Sequence, residues 1–160
     1  NLRIPTIAQV YGAVLGGGAE LALSCDIIVA DSFLHEEKNF KIGFPETTIG
    51  IIPGAGGTYR IYKKMNPGIA KYWILSGKIF SLERALSDGF IDIVKTEDRD
   101  ALIESLLYNS RTSLVAAKKS MNRCYLEVDN KKQRLIELEE YKKTLNSPER
   151  KEALKKYRRK

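Results

Sequence analysis

The sequence predicts a mixed α/β core followed by a helical C-terminal region. Two apolar segments, residues 6–10 and 26–31, flank a helix-forming segment, an order that is typical of a parallel strand–helix–strand unit. From Asp98 onward, apolar residues recur at intervals of three or four, as they do on one face of a helix. We therefore predict an α/β core over residues 1–95 and a helical region over residues 96–160.

The first half of the core alternates strands and turns. Residues 6–10 and 26–31 are predicted as buried strands, with a helix over about residues 18–24 between them. Residues 32–41 are polar, and we expect an excursion there. Residues 42–44 return to the core.

The second half of the core is punctuated by glycine and proline. A glycine-rich turn over residues 50–57 precedes a helix from residue 58 to about residue 65. The pair Asn66-Pro67 is typical of an N-cap followed by a first-turn proline. Gly77 is typical of the residue that ends a helix, so a second helix is predicted between these signals, up to Ser76.

Short elements and amphipathic helices follow. Ser81 begins another helix, which Gly89 ends, and residues 90–94 alternate weakly as a strand. The predicted apolar face of the next long helix comprises Leu114, Ala117, Met121, Cys124 and Val128. The last two helices are marked by Leu135, Leu138 and Leu145, and by the start signal Ser147-Pro148-Glu149.

The chain is organised around three consecutive glycines, Gly16 to Gly18, with Glu20 close behind them. Glycine lets a ligand approach bare backbone N–H groups, and the first N–H groups of a helix lack intrahelical partners. This turn is therefore a candidate site for negative charge developing on oxygen, and Glu20 is placed to move a proton. The turn matches neither common phosphate-binding pattern. The alternative is a plain tight turn between a strand and a helix.

A second carboxylate, Glu46, lies beside the second glycine-rich turn and follows Pro45. Two glutamates, each next to a glycine turn, can form an acid–base pair. Taken alone, Glu46 is as well explained as a surface turn residue.

Other reactive residues indicate no further chemistry. His35 lies with Glu36 and Glu37 in the polar segment, where a solvated loop explains it better than a metal site. Cys25 and Cys124 have no metal-ligand spacing, which favours a reducing compartment. We expect no metal site.

The charge of the chain is unevenly distributed. The net charge is +7, and residues 129–160 hold 12 Lys and Arg against 6 Asp and Glu. Such a tail is typical of proteins that bind nucleic acid, a membrane surface or a polyanionic cofactor, and also of a solvated lysine-rich helix. No segment is long and apolar enough to span a membrane.

Several motifs together resemble the enoyl-CoA hydratase/isomerase family, also called the crotonase superfamily. The similarity extends over nearly the whole chain. The resembling segments, in order, are Pro5-Thr-Ile-Ala8, Gly12-x-x-Leu-Gly-Gly-Gly-Ala-Glu-Leu-Ala22, Cys25-Asp-Ile-Ile28, Phe44-Pro-Glu46, Gly50-Ile-Ile-Pro-Gly-Ala-Gly-Gly-Thr58, Leu75-Ser-Gly77 and Ala85-Leu-x-x-Gly89.

The resemblance implies a crotonase-like spiral of β-β-α turns, followed by C-terminal helices that build a homotrimer or hexamer. The chain is similar to roughly the last three-fifths of such a domain, so we expect the N-terminal part to be absent. In the family that part supplies one oxyanion-hole N–H and much of the coenzyme A surface. We therefore expect the 160-residue chain alone to be incomplete. A separate or fused N-terminal segment, or a fused hydroxyacyl-CoA dehydrogenase domain, would accompany it.

The family's roles are carried over residue by residue. Gly17 matches the glycine whose N–H polarises the thioester carbonyl in the oxyanion hole. Glu20 matches the glutamate that activates water, and Glu46 matches the one that moves the proton at the α carbon. The resemblance also assigns substrate binding to Leu15, Gly16, Pro53 and Gly54. Coenzyme A would be part of the acyl-CoA substrate, and no separate cofactor is expected.

The two glutamates imply hydration of 2-enoyl-CoA to 3-hydroxyacyl-CoA, or the reverse dehydration. The alternatives are an enoyl-CoA isomerase that uses Glu46 alone, and a non-catalytic oligomerising subunit or fragment. We expect a cytoplasmic protein, or a mitochondrial one if a front segment precedes this chain. Glutamates interleave the basic tail and would repel a phosphate backbone. We therefore expect its partners to be sister subunits or coenzyme A phosphates, with no nucleic acid and no membrane.

Overall fold

The computed structural model describes residues 2–31, 39–127, 129–145 and 147–157. The chain divides into two compact units. One, called here the core unit, is Thr6–Ala101, and the other, the helical unit, is Asn1–Pro5 with Leu102–Lys160. The sequence-based boundary between residues 95 and 96 stays a prediction.

Two small sheets form the frame of the core unit. β1 and β3 are parallel, with Ile7 opposite Ile27 and Val10 opposite Ala30. In the second sheet the order is β2-β4-β5, with β2 and β4 parallel and β4 and β5 antiparallel. The strands are β1 (Ile7–Val10), β2 (Ala13–Leu15), β3 (Ile27–Ala30), β4 (Lys41–Gly43) and β5 (Ile79–Phe80).

In the described part of the core unit, α-helices and a 3-10 helix connect these strands. Asn66 Oδ1 accepts a hydrogen bond from the N–H of Gly68, so the predicted N-cap is confirmed. Ser81, predicted to begin the next helix, is its N-cap, and its Oγ accepts the N–H of Arg84. Gly77 ends its helix at a φ of 60°, where only glycine is unstrained. The helices are α1 (Gly17–Ala22), the 3-10 helix (Pro45–Ile49), α2 (Gly57–Lys64), α3 (Pro67–Ser76) and α4 (Leu82–Ser87).

The strand predicted over residues 90–94 is wrong. This segment forms only an isolated bridge, between Val29 and Ile93. The reason is Asp92, whose carboxylate accepts the N–H of Ile28 at 2.8 Å and binds Lys64 Nζ. The Asp92 carboxylate therefore accepts the β3 backbone N–H that a backbone carbonyl of a neighbouring strand would otherwise accept. The sequence also gave no sign of β2, β5 or the 3-10 helix, which are too short to show a period.

The core lies in the core unit and centres on aromatic rings. Trp73 is fully buried and stacks on Phe80 and Phe90, with ring centroids 4.2 and 5.4 Å apart. Its indole Nε1 donates to Asp88 Oδ2 at 2.6 Å, which satisfies the polar atom that burial would otherwise leave unpaired. Phe44 meets Phe90 edge to face at 6.2 Å. This packing fixes the segment that carries Glu46.

The helical unit contains the helices expected from the sequence. They are α6 (Arg111–Leu126), α7 (Asn130–Leu145) and α8 (Pro148–Tyr157), with α5 (Thr96–Tyr108) leading into the unit. Of the predicted apolar face of α6, Leu114 and Cys124 are half-buried, whereas Ala117 is exposed and Met121 is 69% exposed. Ala116 is buried instead, and Lys119 and Arg123 pair with Glu140 of α7. Ion pairs therefore link α6 and α7. A search for apolar periodicity in the sequence cannot detect such contacts.

Two sequence-based expectations can be compared with the described part of the chain. None of its helices is long and apolar enough to cross a membrane. Among the described residues, no three His, Cys, Asp or Glu side chains are grouped so that they could hold a metal ion. His35, Glu36, Glu37 and Val128 lie outside the described residues.

Candidate active site

The first glycine turn joins the end of β2 to the start of α1. Gly16 has a φ of 51°, a left-handed conformation that strains other residues. Its N–H donates to the carbonyl of Gly43 at 3.0 Å, and its carbonyl accepts from the N–H of Glu20 at 2.9 Å. The turn is therefore held from one side by β4 and from the other by α1.

Gly17, the first residue of α1, is exposed, and a Cβ added there would meet nothing within 4 Å. No described residue accepts a hydrogen bond from its N–H, which is expected for the first residue of a helix. Open space over a bare N–H is the geometry that an oxyanion site needs.

Glu20 lies in the first turn of α1 and is only 5% exposed. Its Oε1 accepts two backbone hydrogen bonds, from the N–H of Ala55 and the N–H of Gly57, each 2.8 Å long. Both donors belong to the second glycine-rich turn. The Glu20 carboxylate is therefore fixed through Oε1. Because Oε1 is held, the direction in which Oε2 points is also restricted.

Close packing explains why residue 57 is glycine. A Cβ at this position would lie 2.8 Å from Pro53 Cβ, 2.9 Å from Phe44 Cε1 and 3.0 Å from Glu20 Cγ. Any side chain would push on Glu20 or on the core beneath it. Sequence reasoning did not single out Ala55 or Gly57, although the repeated glycines of this turn were the available signal.

Glu46 lies in the 3-10 helix and faces the first glycine turn. A Cβ added to Gly16 would stand 2.9 Å from Glu46 Oε1, so the carboxylate rests against the bare Cα of that glycine. Its Oε2 is buried and has no hydrogen-bond partner among the described residues. A buried carboxylate oxygen without a partner is costly unless something else satisfies it.

The predicted site residues thus share two glycine turns. The Glu46 carboxylate contacts Gly16, and the backbone N–H of Glu20 donates to the Gly16 carbonyl. The Glu20 carboxylate itself is held by the second turn. Among the residues assigned to substrate binding, Pro53 is buried against Gly57. Leu15 is half-buried at the end of β2, and Gly54 is exposed.

The charge of the site comes from the glutamates themselves. No described Lys or Arg forms an ion pair with Glu20 or Glu46. The arrangement offers one bare N–H donor and two carboxylates, one anchored by backbone donors and one with an unsatisfied oxygen. It can stabilise a developing oxyanion and move two protons.

The sequence model of the enoyl-CoA hydratase/isomerase family matches residues 1–160. The chain belongs to this family. Over 163 residues it is 34% identical to methylglutaconyl-CoA hydratase, mitochondrial, of Mus musculus, and the alignment covers 96% of this chain and 50% of that protein. It is 36% identical over 122 residues to 2,3-dehydroadipyl-CoA hydratase of Escherichia coli K12, covering 73% of this chain and 46% of the relative.

The fold of this family member is that of a crotonase. Enoyl-CoA hydratase from Bacillus anthracis superimposes with a TM-score of 0.90 at 30% identity, and the match covers 99% of this chain and 61% of that one. The predicted fold class is confirmed. The chain spans about half the length of the curated relatives it matches.

Proposed function

We propose that the protein containing this chain adds water to the double bond of a 2-enoyl-CoA, or removes water from the 3-hydroxyacyl-CoA. The observation that carries the proposal is a pair of carboxylates at the two glycine turns: Glu46 Oε1 lies against Gly16, next to the bare N–H of Gly17, and the second turn anchors Glu20 Oε1. The names of the mouse and Escherichia coli relatives, both hydratases of acyl-CoA thioesters, support it.

The proposed reaction assigns one task to each group. Glu20 takes a proton from water while the water oxygen bonds to the β carbon. The electron pair of the double bond moves towards the thioester carbonyl, whose oxygen becomes an enolate that the Gly17 N–H stabilises. Glu46 then gives a proton to the α carbon, and the carbonyl is restored. Loss of one oxyanion donor costs about 2.7–4 kcal/mol in comparable sites.

The different surroundings of the two carboxylates support this division of labour. Glu20 is anchored through Oε1 by two backbone N–H groups, so it can hold a water molecule in a fixed direction. Glu46 carries the buried oxygen that lacks a described partner. A group that transfers a proton to carbon needs an oxygen that is not already engaged by the protein. Glu46 is therefore the proposed proton donor.

A second candidate function is isomerisation of an enoyl-CoA double bond by Glu46 alone. The family description includes both hydratases and isomerases, and isomerisation needs no activated water. The anchoring of Glu20 favours hydration, because an isomerase would have no use for a second positioned carboxylate. A non-catalytic, oligomerising subunit is the third reading of the chain.

The remaining parts of the proposal concern the whole protein. Coenzyme A enters as part of the acyl-CoA substrate, with no separate cofactor. A second oxyanion donor and more of the coenzyme A surface would come from a segment outside this chain, either separate or fused. We propose a homotrimer or hexamer, cytoplasmic or mitochondrial, whose basic tail contacts sister subunits or coenzyme A phosphates.

The test uses the complete gene product and two substrates. Crotonyl-CoA should lose its enoyl absorbance as water adds, whereas 3-hexenoyl-CoA should gain that absorbance only if a double bond migrates. We expect hydration to be the faster reaction. Isomerisation without hydration would assign the protein to the second candidate, and the absence of both would support the non-catalytic reading.

A further inference from the structure

The helical unit contains a cleft of about 840 Å³. It lies between residues 2–4 and helices α6 and α7. Its volume is within the range of small-molecule sites. Part of its lining is apolar, from Leu2, Ile4, Val115, Ala116 and Leu126. Two of these side chains, Leu2 and Leu126, are 66% and 75% exposed, so apolar surface remains open to a ligand.

The charge of the cleft is strongly positive. Its lining includes six Lys and Arg residues and a single carboxylate, Glu140. Glu140 is only 3% exposed and binds Lys119, Arg123 and Lys143 at distances of 3.1, 3.0 and 2.9 Å. Burial alone would raise the pKa of its carboxyl, but Lys143 and Lys119 lower that pKa overall. Three cations therefore share one buried anion.

Two further cations are available to a ligand. Arg3 and Arg111 are both exposed, and neither forms an ion pair or a hydrogen bond with any described residue. Lys118, another cation of the lining, donates to the carbonyl of Ile4 at 2.8 Å. A surplus of positive charge around one cleft repels itself, and an anion would relieve that repulsion.

We propose that this cleft binds an amphipathic anion, an alkyl chain that ends in a carboxylate. The apolar lining would take the chain, and Arg3 and Arg111 would pair with the carboxylate, since arginine matches carboxylate geometry with two parallel donors. The site lies wholly within the helical unit and uses neither Glu20 nor Glu46. The proposal therefore does not depend on the proposed reaction.

Isothermal titration calorimetry with decanoate, decanol and acetate tests both halves of the proposal. Decanoate should bind the complete gene product with a submillimolar Kd, and binding should weaken as salt is added. Decanol and acetate, which each lack one half of the ligand, should bind at least tenfold more weakly. Equal binding of decanol and decanoate, or no binding of decanoate, would overturn the proposal.

The double variant R3Q/R111Q should weaken decanoate binding at least tenfold, whereas the matched control Lys71→Gln in the core unit should not change it. Unchanged binding by the double variant would place decanoate elsewhere. Binding of decanoate by the 160-residue chain but not by the complete gene product would show that the cleft is covered in the whole protein, against the proposal. A further outcome is that the protein self-associates in a way that R3Q/R111Q abolishes and decanoate does not affect. That result would assign the cleft to a second copy of the chain, against the proposal.

Discussion

The core unit and the helical unit are stabilised in different ways. Among the described residues, every buried hydrophobic side chain except Ala116 belongs to the core unit. In the helical unit the contacts that stand out are ionic, centred on Glu140 and its neighbour Glu139. The proposed catalytic groups are all in the unit with the packed core. A proton-moving site needs groups held within a fraction of an ångström, and dense packing supplies that rigidity.

The largest expected difference between the two units is the loss of stability when a large hydrophobic side chain is truncated to alanine. Trp73→Ala should lower the free energy of unfolding by about 3–5 kcal/mol, because it leaves a cavity in the core. Leu107→Ala in the helical unit should change it by less than about 0.5 kcal/mol, because Leu107 is 81% exposed. Urea unfolding of the 160-residue chain measures both. Similar losses in the two variants would remove the contrast between the units.

The next effect tests the close packing under Glu20. Gly57→Ala should destabilise the core unit by about 1–3 kcal/mol through overpacking, since its Cβ would crowd Phe44, Pro53 and Glu20. Gly54→Ala is the matched control for stability, because a Cβ there would meet nothing within 4 Å. Thermal unfolding distinguishes them. A Gly57→Ala protein as stable as the Gly54→Ala protein would contradict the described packing.

Helix caps should show no contrast between the units. Ser81 caps α4 in the core unit and Ser110 caps α6 in the helical unit, each by accepting a backbone N–H. Replacing either with alanine should cost about 1 kcal/mol, because the cap is a local interaction. Denaturant midpoints of the two variants provide the comparison. If only one of the two alanine variants lost stability, the contribution of a helix cap would also differ between the core unit and the helical unit.

The smallest effect is a pH dependence of the helical unit. Hydrogen bonds from Lys143 and Arg123 lower the pKa of Glu139 from 4.5 to about 2. A carboxyl with a lowered pKa in the folded state contributes stability above pH 4.5, and that contribution is lost as pH falls towards 2. Thermal unfolding followed by circular dichroism between pH 5 and pH 2 should show it. Glu139→Gln should reduce the acid sensitivity, and the exposed control Glu83→Gln should not.

The comparison also explains which predictions from sequence succeeded. In the core unit, capping residues such as Asn66 and Ser81 act on their own backbone, so local sequence was enough to place the helix starts. The site needed more, because Ala55 and Gly57 hold Glu20 across 35 and 37 residues of sequence. Only the folded chain shows that pairing.

In the helical unit the helices were predicted but their faces were not. Periodicity placed Leu114, Ala117, Met121 and Cys124 on one apolar face of α6, and in the structure Ala117 and Met121 of that face are exposed. The contacts with α7 are made by Lys119 and Arg123. A pattern that counts only hydrophobic residues cannot find an interface that is held by ion pairs.

The most direct test of the account is the hydration of crotonyl-CoA by Glu20→Gln and Glu46→Gln variants of the complete gene product. Each should keep its fold by circular dichroism and lose at least about 10²-fold in turnover, because each removes a proton carrier and keeps the shape. The control Glu83→Gln should retain normal turnover. Near-normal hydration by a folded Glu20→Gln variant would contradict the central claim that Glu20 activates the water.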